Sequence, residues 1–175
     1  MELLIVIGVL GILAAGLMAA IDPFEQLKKA RDANNRNATI ETLNAFTRYY
    51  ATHGDFPWNL ETPVDCGTTE APGNLADSAV EINNIADCIE ALEDDGELKA
   101  DFLINVNADI FVASSGPTDI TVCFAPEGKG LRRDATTKYY KDPASGAGSY
   151  DIAIDDTFCP LEDDTTLDYC LQCYK

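Results

Sequence analysis

Residues 3–21 read LLIVIGVLGILAAGLMAAI, an apolar run without a charge. As a helix rising about 1.5 Å per residue it would reach about 28 Å, close to the ~30 Å hydrocarbon layer of a bilayer. No polar face interrupts it, which separates it from a helix lying on its own core. A secretory signal peptide fits poorly: no basic residue precedes the run, and it exceeds the usual ~7–15 apolar positions. Asp22, Pro23 and Glu25 then have the form of a helix start. Asp22 can cap, Pro23 suits a first position that needs no amide, and Glu25 sits three residues after the cap. The chain is therefore expected to break near 20–23 and to resume as a second helix.

From 23 to about 52 the pattern is amphipathic, with Phe24, Leu27, Ala30, Asn34, Ala38, Leu43, Phe46 and Tyr50 at steps of three to five. Its middle, Asn34, Asn35, Arg36 and Asn37, is polar all round and is expected to form a solvated or subunit-facing zone. Leu43, Phe46, Tyr49 and Tyr50 form the stripe that a sheet would cover. Gly54 and Pro57 give the stop signal, a left-handed cap followed by a residue that cannot continue a helix. Residues 58–78 read as loop and 78–92 as a short helix. Apolar runs at 110–113 and 120–124, separated by Ser115, Gly116, Pro117 and Thr118, read as a strand pair, with further strands expected at 138–140 and 150–154.

Charge sharpens this division. The net charge is −18, yet residues 1–50 are neutral, with Glu2, Asp22, Glu25, Asp32 and Glu41 balancing Lys28, Lys29, Arg31, Arg36 and Arg48. The excess acid therefore lies in the C-terminal part, which repels phosphate backbones and argues against bulk nucleic-acid binding. Lys129, Arg132, Arg133, Lys138 and Lys141 are the one basic cluster of that part: a solvated hairpin first, then a contact with the acidic patches Glu93, Asp94 and Asp95 or Glu162, Asp163 and Asp164 of a neighbour, and third a nucleic-acid contact. Cys66, Cys88, Cys123, Cys159, Cys170 and Cys173 all follow the apolar run. An even number in a small domain reads as disulfides in an oxidising compartment. Zinc is the weaker alternative, since Cys170 and Cys173 make a single CxxC and His53 is the lone histidine. Cys66 and Cys88 flank the connection between helix and sheet and are expected to pair; spacing leaves the other pairings open. Asp151, Asp155, Asp156, Asp163 and Asp164 offer oxygen ligands for calcium but lack an EF-hand spacing, so no cofactor is the first expectation. One histidine at a helix end supports no catalytic triad, and no glycine-rich phosphate loop opens a helix; the chain does not read as an enzyme.

ELLIVI at 2–7 followed by GVLGILAA at 8–15 resembles the N-terminal segment of bacterial type IV pilins and type II secretion pseudopilins. The end of the long helix, with Tyr49, Tyr50, Gly54, Phe56 and Pro57, is similar to that family as well. The resemblance implies an α+β, lollipop-like fold: a long N-terminal helix, hydrophobic in its first half, packed on a C-terminal antiparallel sheet. It divides the chain into a transmembrane or filament-core helix (1–22), the amphipathic second half of the long helix (23–53) and a disulfide-containing head (54–175). The head comprises a connection (54–102), a sheet (103–154) and a C-terminal loop (155–175) resembling the disulfide-tied tail of many pilins. It further implies a subunit that polymerises with copies of itself into an extracellular pilus after waiting in the inner membrane. Gly8, Gly11 and Gly16 would let helices pack closely. Glu2 would neutralise the amino terminus of its own chain or of the next subunit. Assembly machinery and a prepilin peptidase are implied partners. Family members carry a basic leader and a few residues ahead of that glutamate, so such a segment is expected upstream of Met1. It would also supply the cytoplasmic positive charge that the cations after the run would otherwise place on the wrong side. A pseudopilin of a secretion or uptake apparatus, and an anchored binding protein that never polymerises, are the competing expectations.

Overall fold

The computed structural model describes residues 2–20, 22–60, 66, 72, 79–106, 110–132, 134, 137–141, 150–152 and 170–175. The chain opens with α1 (Glu2–Ala20) and α2 (Pro23–His53). Between them Asp22 has extended backbone, and its carboxylate accepts from the backbone N–H of Phe24 at 3.1 Å and Glu25 at 3.3 Å. This satisfies amides that a helix start leaves without partners. At the other end Gly54 takes φ 82°, and its N–H donates to the Tyr50 carbonyl at 2.8 Å. That left-handed position is one a residue with a Cβ rarely adopts.

The fold is α+β, with an antiparallel sheet behind α2. Its strands are β1 (Val80–Glu81), β2 (Ile110–Gly116), β3 (Asp119–Phe124), β4 (Thr137–Lys141), β5 (Tyr150–Ile152) and β6 (Cys170–Tyr174), in the order β1-β2-β3-β6-β4-β5. A 3-10 turn (Ile82–Ile85) and α3 (Ala86–Asp94) follow β1. A second turn (Phe102–Asn105) precedes β2, and the short α4 (Lys129–Arg132) follows β3. α2 lies on β3, so Phe46 and Tyr49 meet Ile110, Val112, Val122 and Phe124 in the main core, which Ile82, Ile85, Ile89 and Leu92 close from the α3 side. Phe111, Ala113, Cys123 and Leu171 form a smaller cluster with Ala79. Burial on both faces explains why β2 and β3 read as continuous apolar runs rather than alternating ones. Phe56 stacks on Trp58 at 5.1 Å, and Phe46 meets Trp58 edge-on at 5.2 Å, sealing the C-terminal end of α2.

Two expectations from the sequence are corrected, and a third in part. Val80–Glu81, read as helical, pairs with β2 as a two-residue edge strand. Cys170–Tyr174, read as part of a C-terminal loop, is the strand that joins β3 to β4. The polar middle of α2 is exposed at Asn34, Arg36 and Asn37, as expected, but Asn35 is buried, along with Asp32, Thr39 and Thr42 on the face toward the sheet. Burial is tolerated because Thr39 and Thr42 donate back to the carbonyls of Asn35 (2.7 Å) and Ala38 (2.9 Å), leaving neither hydroxyl unpaired. Among the described residues no helix is long and apolar enough to cross a membrane, and Ile21, which ends the apolar run, lies outside them.

Cys66 and Cys88 are bridged, as are Cys123 and Cys173. The second bridge joins direct neighbours in the β3–β6 register. Cys170 begins β6, and Cys159 lies outside the described residues.

Candidate functional site

Every side chain from residue 3 to residue 17 of α1 is exposed, including Leu3 (76 %) and Ile12 (75 %). A helix that is apolar all round gains nothing from its own charges or caps, so its stability in water depends on what covers it. A contiguous apolar surface of this kind marks an interaction site. Gly8, Gly11 and Gly16 fit that reading in a specific way. A Cβ added at any of them would meet nothing within 4 Å. Among the described residues nothing therefore requires glycine there, and none offsets the helix penalty of about 1 kcal/mol that each carries.

The head grips the stretch of α2 that follows the break. Asp32, fully buried, accepts from the backbone N–H of Glu127 at 2.7 Å and Gly128 at 2.8 Å, and Glu25 accepts from the N–H of Lys129 at 2.8 Å. Three consecutive amides leading into α4 are thus taken up by carboxylates of another helix, and Arg31 adds an ion pair to Glu127 at 3.2 Å. A Cβ on Gly128 would lie 2.7 Å from Asp32 Oδ2, which accounts for glycine at that position. Burial pushes the Asp32 carboxyl above its ordinary value of 3.8, its two N–H bonds work against this, and the charges of Glu127 and Glu25 add to it. Because the folded pKa is the higher one, the stability linked to Asp32 is full below pH 3.8 and is lost as pH rises through the folded value. The melting temperature of Asp32→Asn relative to the parent is therefore expected to rise between about pH 4 and about pH 7. A difference that stayed flat or fell would contradict the assignment.

Beside this grip, Lys29, Ala33, Arg36 and Ile40 of α2 and Leu131 of α4 line a cleft of about 570 Å³. The Arg36 guanidinium lies 5.9 Å from the centre of the Tyr174 ring, so the end of β6 supports it from below.

No family model, curated protein or solved structure matches the chain.

Glu2 opens α1, and Asp22 and Pro23 form the junction described above. Pro57 is buried next to the capped end of α2. His53 stacks on Tyr49 at 4.0 Å and lies 3.4 Å from Asp95. Of the basic cluster read from sequence, Lys129 and Arg132 lie on α4 and Lys138 and Lys141 on β4, while Arg133 is outside the described residues. Asp151 lies on β5, and the other four carboxylates weighed for calcium fall outside the described residues. Among the described residues no group of His, Cys, Asp and Glu could hold a metal ion. Sequence reasoning missed the grip on α2 because its two sides are 95 or more positions apart.

Proposed function

We propose that this chain is a pilin-type structural subunit, which polymerises by burying α1 among the α1 helices of neighbouring copies. The observation that carries the proposal is the contrast between the two helices. α2 is packed against the sheet and held by Asp32 and Glu25, while the side chains of residues 3–17 in α1, beyond the Asp22 junction, are left uncovered by the head. Apolar surface that the chain does not cover itself must be covered by lipid or by protein. The three glycines favour protein, since small residues let helix backbones come together. Residence in the inner membrane before assembly rests on the full run at 3–21, including Ile21, rather than on the described helix alone. The two disulfides favour an oxidising space outside the cytoplasm for the head.

Glu2 at the start of α1 is the residue proposed to register each incoming subunit, because a carboxylate beside apolar surroundings is stabilised by pairing with a cation. Shearing cells that express the chain, then imaging the supernatant, tests the reading: filaments built of this chain are expected. Glu2→Leu is expected to lower filament yield at least ten-fold while the protein remains in the membrane fraction. Wild-type cells without filaments, long or short, would overturn the proposal.

A further inference from the structure

α3 carries Asp87, Glu90 and Asp94 at positions i, i+3 and i+7, which places them on one face, and all three are exposed. Among the described residues none of the three has a hydrogen-bond or ion-pair partner. Their neighbours are engaged: Glu93 accepts from the N–H of Asp101 and Phe102, Asp95 faces His53, and Glu97 pairs with Arg48. The stripe is unfavourable locally in two ways. Like charges at i, i+3 and i+4 repel, and Asp94 sits at the negative end of a helix whose last turn has no basic residue.

The complement lies at the other end of the head. Lys29 and Arg36 project from α2 at i and i+7 on the rim of the 570 Å³ cleft, with Ala33 between them and Lys129 nearby on α4. The carboxylates beside that cleft are already committed: Asp32 and Glu25 to backbone amides, Glu127 to Arg31. Lys29 and Lys129 have no carboxylate partner among the described residues. Two helical turns separate the outer members of each set, about 10.5 Å in both cases. The two surfaces cannot meet within one chain. α3 ends beside Arg48 and His53, and α2 rises about 27 Å between residues 32 and 50.

We infer that the acidic stripe of α3 docks into the α2–α4 cleft of a second copy, with Asp87 and Asp94 opposite Lys29 and Arg36 and the small Ala33 admitting the approach. The occupant is a second copy because the charges and their spacing match. The contact joins two different surfaces, so it repeats head to tail instead of closing into a dimer. This inference deepens the polymerisation reading and rests on it. Exposed pairs of this kind are screened by salt, so the contact weakens as ionic strength rises.

The test uses the full chain, as filament yield in cells and as self-association of detergent-solubilised protein by sedimentation. Lys29→Glu with Arg36→Glu, and separately Asp87→Lys with Asp94→Lys, are each expected to reduce both readouts about ten-fold. The melting temperature should fall by no more than a few degrees for the first pair and should hold or rise for the second, whose reversal relieves the repulsion within α3. All four substitutions together are expected to restore association to within about three-fold of the parent. Reversals without effect, or loss without rescue, would overturn the inference while filaments of the parent chain left the function standing. Binding of the parent to anionic vesicles that Lys29→Glu with Arg36→Glu abolishes, with assembly unchanged, would overturn it too, assigning the cleft to lipid headgroups.

Discussion

Leu10→Asp is expected to abolish assembly and to leave the head as stable as before. Leu10 lies mid-way along α1, 59 % exposed within its own chain. In the monomer the substitution therefore removes no packing, and the melting temperature of the head should move by the equivalent of no more than about 0.5 kcal/mol. In a bundle of α1 helices the same carboxylate would be buried without a partner, at a cost of several kcal/mol per subunit. Since every subunit in a polymer carries that cost, filament yield should fall at least about a hundred-fold. The measurement is a pair: thermal melting of the purified chain, and filament counts after shearing. A fall in melting temperature would mean that α1 packs on its own head, contrary to its exposure. Normal filaments would mean that α1 is not the buried core of a polymer.

The second large effect concerns Cys123 and Cys173, which tie β3 to β6 across a separation of 50 residues. Loop-closure entropy puts the stabilisation of such a bridge at about 4 kcal/mol, against about 3.4 kcal/mol for Cys66–Cys88 with its separation of 22. Small domains hold ~5–15 kcal/mol in total, so the loss would leave the head marginal. Cys123→Ala with Cys173→Ala is expected to lower the urea midpoint more than Cys66→Ala with Cys88→Ala. The difference should exceed the entropic one, because β6 also connects β3 to β4 and β5. The reverse order of midpoints would show that β6 is not essential to the sheet.

The features legible in the sequence were those with a local cause. Asp22 and Pro23 announce a helix start through backbone chemistry confined to a few residues, and Gly54 announces an end in the same way. The turn at Gly116 and Pro117 lies between two β-rich runs, so β2 and β3 are legible from the order of residues alone. Features with a distant cause could not be read. Val80–Glu81 becomes a strand because Val112 and Phe111 offer an edge to it, not because two residues carry a period. Cys170–Tyr174 closes a polar, cysteine-bearing tail and has no turn signal of its own to announce a strand; the partners that make it one lie on β3 and β4. Asp32 looks like any exposed helical acid until the amides of Glu127 and Gly128 are brought to it. Of the candidate assembly surface, the apolar run and its glycines were plain in the sequence. The cleft was not, because it pairs α2 with an α4 about 100 positions away.

The position of β6 also bears on how the protein is made. It follows β5 along the chain, yet it sits between β3 and β4 in the sheet. Until the ribosome has delivered it, β3 offers an unpaired edge to any strand nearby, and an open edge of this kind invites aggregation. The head therefore cannot mature from front to back as it is synthesised, and a chain released before residue 170 would lose the seam of its sheet rather than a loose end.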